Sequence, residues 1–106
     1  MKNSISSSNF SKIYSNSKAI SCNEILFKIN THKDLEGPML GFAISGKIGK
    51  ANKRVLFKRR CRSLFYHRFI KNKKKIAMII IPKSINLGSK VISSSFDLLE
   101  KKLYHD

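Results

Sequence analysis

The chain has 106 residues, with 22 Lys plus Arg against 6 Asp plus Glu and a net charge of +16 at pH 7. Its 42% hydrophobic content suits one folded domain with a modest core and excludes a disordered basic tail. The favoured partner is a polyanion, because a nucleic acid gains from counterion release when Lys and Arg dock on it. No apolar run approaches the roughly 20 residues that span a bilayer, and the start MKNSISSSNF lacks an apolar segment like that of a signal peptide. The expectation is a cytoplasmic protein without a membrane partner.

Ser6 to Ser8 precede a short helical segment, Asn9 to Tyr14, with Ser8 or Asn9 placed to cap it. Phe10, Ile13 and Tyr14 have the spacing of one apolar helix face. Phe10 either packs on a sheet or helps line a groove for a ligand. Glu24 to Asn30 (EILFKIN) reads as a strand, with Cys22 just before it as core or filler. Thr31 to Pro38 reads as a loop. Met39 to Ser45 (MLGFAIS) is a second strand candidate.

The stretch Lys47 to Arg62, KIGKANKRVLFKRRCR, holds eight Lys or Arg and no acid. Gly46 to Lys53 is predicted as a basic loop whose glycines permit tight turns. It lacks the GxxxxGK[ST] spacing of a phosphate-binding P-loop. Lys53 to Ile70 is predicted as a long helix. Phe57, Cys61 and Leu64 make its core stripe, and Arg54, Lys58 and Arg62 fall on another face. Val55 and Phe65 project nearer that basic face than the core. Like charges four residues apart cost a helix a few tenths of a kcal/mol per pair, a cost that a bound anion reverses.

Lys71, Lys73, Lys74 and Lys75 read as a surface run. Ile76 to Ile81 (IAMIII) reads as a central strand buried on both sides, with Pro82 ending it. Ser89 to Tyr104 reads as a last helix, with Phe96, Leu99 and Leu103 as its apolar stripe and Ser93, Ser94 or Ser95 capping its regular part. Cys22 and Cys61 lack a CxxC arrangement and are expected to be reduced. His32, His67 and His105 lack metal-ligand spacing. No carboxylate cluster or spaced His pair accompanies the basic stretch, so no catalytic residue and no protein-borne metal site is expected.

The segment Leu40 to Phe65, LGFAISGKIGKANKRVLFKRRCRSLF, resembles the signature of bacterial ribonuclease P protein subunits. That signature is a strand ending in Ser, a Lys-Lys-Val-Gly-Asn-Ala loop and an Arg-Asn-Arg helix. Ser45, Lys47, Ile48, Gly49, Ala51 and Arg54 match it, and Lys58, Arg59 and Arg62 match later basic positions. Gly46 and Lys50 replace the usual Lys and Asn. Val55 and Leu56 stand where the family has Asn and Arg, and the usual Gly near Ser17 is missing. Asn9-Phe10 with Ile13-Tyr14 is similar to the family's opening Asp-Phe and Val-Phe pattern.

The resemblance implies a single α/β RNA-binding domain over residues 1–106, with its basic loop and helix over 46–70. The implied fold is the ribosomal protein S5 domain 2-like two-layer sandwich. It has a small mixed sheet, the order α-β-β-β-α-β-α and a left-handed βαβ crossover, against the usual hand. The implied activity is magnesium-dependent removal of the 5′ leader from precursor transfer RNA, catalysed by the RNA subunit of a ribonuclease P holoenzyme. Lys47, Lys50, Lys53, Arg54, Lys58, Arg59 and Arg62 would bind that RNA. Phe10, Lys12, Tyr14 and Lys28 would take the leader by stacking and charge. Mg²⁺ would be held mainly by the RNA, and the partners would be the catalytic RNA and precursor transfer RNA, with no small-molecule substrate. The alternative is a structural RNA-binding protein of ribosomal type with no role in cleavage. A DNA-binding module lacks a helix-turn-helix spacing, and a stand-alone nuclease lacks the acids.

Overall fold

The computed structural model describes residues 4–31 and 37–104. Helix α1 (Ser7–Ser15) is followed by strands β1 (Lys18–Cys22), β2 (Ile25–Asn30) and β3 (Met39–Phe42). Helix α2 (Ala51–Phe65) runs into a π-helical turn (Tyr66–Ile70), and strand β4 (Ala77–Pro82) and helix α3 (Ser89–Tyr104) complete the chain. This is the expected α-β-β-β-α-β-α order. The residue pattern marks no strand over β1, where Cys22 reads only as core or filler, and β3 stops at Phe42, three residues before the expected Ser45. Residues 32–36 of the predicted loop, with His32, and also His105, lie outside the described residues.

One mixed sheet forms in the order β1-β2-β4-β3. The β1 and β2 strands make an antiparallel hairpin with Cys22 opposite Ile25. Asn23 turns that hairpin in the left-handed region (φ 57°), a conformation that Asn tolerates. Strand β4 pairs antiparallel with β2 and parallel with β3, so it is central as predicted. Parallel neighbours need a crossover, and α2 supplies it between β3 and β4.

Alternation along each strand splits the sheet into two unequal faces. Ile25, Phe27 and Ile29 of β2 and Met78 and Ile80 of β4 point to the side covered by α2 and α3. There Phe57, Cys61, Phe65, Phe69, Ile92, Phe96 and Leu99 meet them in one large buried cluster. Phe27 and Phe96 touch edge to face at 5.3 Å. Ala77 and Ile79 point the other way, where Ile13 of α1 makes a small cluster with them.

Helix α2 departs from the sequence reading in three ways. It begins at Ala51 rather than Lys53, and its α-helical part stops at Phe65. Phe65 is fully buried, not near the basic face. Residues four apart drift around an α-helix, because its turn holds 3.6 residues. The π turn widens the spiral just beyond Phe65, and Phe69 is thereby kept in the core with Phe57, Cys61 and Phe65. Both cysteines are free and buried, and burial pushes the Cys61 thiol up to about 12. In α3 the middle serines do not cap. The Ser94 and Ser95 hydroxyls donate back to the Val91 carbonyl inside the helix.

Candidate nucleic-acid interface

The loop between β3 and α2 is tied down from both sides. Ile44 and Ile48 pack against the main cluster. The Lys47 amide donates to the Ser45 hydroxyl at 3.2 Å and the Ile48 amide to the Ser45 carbonyl at 3.3 Å. A Cβ on Gly49 would stand 2.3 Å from Ile85 Cδ1, so a larger residue there would have to displace that buried side chain of the segment after β4. The loop's cationic groups are therefore presented on a fixed frame.

Arg54 joins the loop to the helix. Its Nη1 donates to the carbonyls of Gly46 at 2.9 Å and Gly49 at 3.0 Å. The guanidinium thus braces the loop from within, and its remaining N–H groups are what it offers a ligand. Lys50 is the N-cap residue, no side chain caps the helix start and no acid lies in the first turn. The partial positive charge of the helix N-terminus therefore adds to the charge of Lys47, Lys50 and Lys53, all exposed. Arg59 and Arg62 are exposed further along α2, and Lys58 is half-buried. Arg60 is turned away and donates to the Leu87 carbonyl at 3.2 Å.

Lys58 and Arg62 also line a pocket of about 220 Å³ at the β3 edge of the sheet. Its other walls are Ser4 and Ile5 before α1, Phe10 of α1, and Leu40, Gly41 and Phe42 of β3. Ser4 bridges to Leu40, and the Ile5 amide donates to the Leu40 carbonyl at 3.1 Å, so the N-terminal segment runs along the edge strand. The Arg62 guanidinium sits 5.6 Å from the Phe42 ring centre and the Lys58 ammonium 6.0 Å, at the outer range of a cation–π contact. Among the described residues no acid lines the pocket.

The sequence reading separated two groups that the structure joins. Phe10, assigned to the leader, shares the pocket with Lys58 and Arg62, assigned to the catalytic RNA. Phe10 also packs on the small cluster, so it meets the sheet and lines the pocket at once. Tyr14 stacks on Phe10 at 6.2 Å, and the Lys28 ammonium lies 3.8 Å from the Tyr14 ring centre. Lys12 is exposed and stands two positions from Phe10, which turns it toward the far side of α1. Phe42, Gly41 and Ile5 were missed. Phe42 carried a signal, since an aromatic residue two places after Leu40 ends the strand beside the basic helix.

Two of the three acids among the described residues are engaged by Arg68. Asp97 and Glu100 both accept from Arg68 Nη1, the latter at 3.0 Å, and Ser93 accepts from Arg68 Nη2. Burial works to lower the Arg68 pKa, and the two carboxylates more than reverse that and raise it. No group of three His, Cys, Asp or Glu among the described residues is placed to hold a metal ion. No described helix is long and apolar enough to cross a membrane.

A ribonuclease P family model matches residues 4–104. The chain belongs to the ribonuclease P protein family. It is thus an RNA-binding component of transfer-RNA processing. Solved ribonuclease P proteins share the fold. The Staphylococcus aureus protein superposes with a TM-score of 0.81 at 20% identity, covering 96% of this chain and 95% of its own. The Thermotoga maritima protein gives a TM-score of 0.71 at 20% identity, covering 88% and 90%. No curated protein sequence matches the chain. Strand order and helix placement are those of the S5 domain 2-like sandwich.

Proposed function

We propose that this chain is the protein subunit of a ribonuclease P holoenzyme, binding the catalytic RNA and holding the 5′ leader of precursor transfer RNA during its endonucleolytic removal. The observation that carries this reading is the edge pocket, where Phe10 and Phe42 meet Lys58 and Arg62. Aromatic faces beside cations suit a single strand, whose bases stack and whose phosphates pair. Lys47, Lys50, Lys53, Arg54 and Arg59 would grip phosphates of the catalytic RNA, contacts that position rather than read sequence. Tyr14 and Lys28 extend the leader path across the open sheet face, with Lys12 at its margin.

Among the described residues the donor set does not fit a resident magnesium ion. Mg²⁺ takes oxygen ligands, chiefly carboxylates and phosphates, and Asp97 and Glu100 are engaged by Arg68. In this reading the RNA subunit holds the ions, and the chain contributes by lowering repulsion between closely placed phosphates. Val55, exposed, and Leu56, half-buried, occupy positions where the family offers an amide and a guanidinium. The ridge relies instead on its neighbouring cations.

Reconstitution with a bacterial ribonuclease P RNA at low magnesium tests the reading. Leader cleavage is expected to rise above the rate of the RNA alone. No rise, together with ordinary binding to ribosomal RNA, would favour the structural RNA-binding alternative.

A further inference from the structure

The exposed line on α2 does not stop with the basic residues. Val55, Arg59, Arg62 and Tyr66 follow one another at spacings of three or four residues, and all are exposed. Tyr66 is 52% exposed, and its ring meets His67 edge to face at 5.4 Å. A single exposed tyrosine is ordinary. This one is distinguished by what surrounds it.

The π turn that buries Phe69 leaves Tyr66 and His67 outside, and such turns recur at functional sites. Beyond it the chain makes a hook rather than a loose loop. The Lys71 amide donates to the Tyr66 carbonyl at 2.8 Å, the Lys74 amide to Phe69 at 3.0 Å, and the Lys73 amide to Ile70 at 3.0 Å. Lys73 is held in the left-handed region at φ 53°, where a long side chain is uncommon. The result is a run of exposed lysines fixed to the base of an exposed ring. Arg68, inside the same turn, occupies the two carboxylates of α3, so the hook's field is not opposed from that helix.

We propose that this end of the basic rod is a second contact for unpaired RNA. One base stacks on Tyr66, braced by His67, while Lys71, Lys73 and Lys75 take the flanking phosphates. The site is separate from the edge pocket, and its single-strand binding does not depend on the proposed function. Only the source of the strand does, since either the leader or an unpaired segment of the catalytic RNA fits the same chemistry.

The chain has no Trp, so Tyr66→Trp installs one indole reporter at the site. A single-stranded oligoadenylate is expected to quench its emission, and a blunt RNA duplex to leave it unchanged. Tyr66→Leu should weaken oligoadenylate binding about tenfold without changing duplex binding. Unchanged indole emission at saturating oligoadenylate, or wild-type affinity in Tyr66→Leu, would overturn the proposal. In the reconstituted holoenzyme, a raised KM for precursor in Tyr66→Leu assigns the strand to the leader. Weaker assembly with the catalytic RNA assigns it to that subunit. A Phe10→Ala, Lys58→Ala double variant, which leaves Arg62 beside Tyr66 in place, separates the two readings. It should lose leader cleavage yet keep the indole quench.

Discussion

The two faces of the sheet are built on opposite principles. One is closed by two helices over a buried, aromatic-rich cluster that takes in residues from β1 to α3. The other carries one short helix anchored by Ile13, with Phe10 and Ile5 only partly covered. The contrast separates stability from binding. The closed face specifies the fold, and the half-covered one leaves an edge where aromatic rings and cations are reachable together. With a charge of +16 the chain opposes its own compaction, so the closed face must stabilise both.

The sharpest way to break that contrast is to cut into each face. Phe57→Ala removes a ring that is 1% exposed, and a Phe-to-Ala change in a core costs about 3–5 kcal/mol. Ile13→Ala on the other face should fall near or below the lower end of the aliphatic range, about 2 kcal/mol, because its surroundings can close around the gap. Urea unfolding of both variants measures the difference. Equal losses would mean that α1 is as much a part of the core as α2.

Much of this division was legible in the sequence. The spacing of Phe57 and Cys61 revealed the buried side of α2, and the unbroken IAMIII run marked the central strand, since a strand covered on both faces has no polar register to keep. Misreading came at the margin of that buried side. Phe65 was assigned to the wrong side because the stripe drawn through Phe57, Cys61 and Leu64 was too narrow, and the buried arc takes in the next i+4 step after Cys61. The pocket was unreadable for a different reason. Its walls come from four chain segments that only the β3–β4 pairing and the Ser4–Leu40 bridge bring together. Likewise, nothing in the spacing of Arg54 announced that part of its guanidinium is committed to the loop carbonyls.

That commitment yields a second, smaller effect, confined to the binding edge. Changing Lys58 and Arg62 to Ala should leave the melting temperature nearly unchanged and weaken RNA binding, with the salt slope falling by about 1–2 if each side chain neutralises one phosphate. Adding Arg54→Ala should weaken binding further and also lower the melting temperature, because the Gly46 and Gly49 carbonyls lose their donor. Charge reversal at Lys101, on the exposed end of α3, should alter the slope far less. A salt slope that stayed constant in the triple variant would remove these side chains from the interface.

The smallest expected effect is the most selective. A Cβ at Gly41 would lie 3.2 Å from both Ile5 Cδ1 and Phe10 Cε2. Both are ends of side chains at the partly covered face, so they can shift by a few tenths of an ångström. Replacing a strand glycine with alanine also relieves a backbone entropy cost of about 0.5–1 kcal/mol. Gly41→Ala should therefore fold with nearly wild-type stability while narrowing the pocket at Phe10. In the holoenzyme it should raise KM for a precursor with a leader by a few fold and leave affinity for mature transfer RNA alone. If both RNAs respond alike, the pocket does not distinguish the leader, and the strand runs elsewhere on the protein.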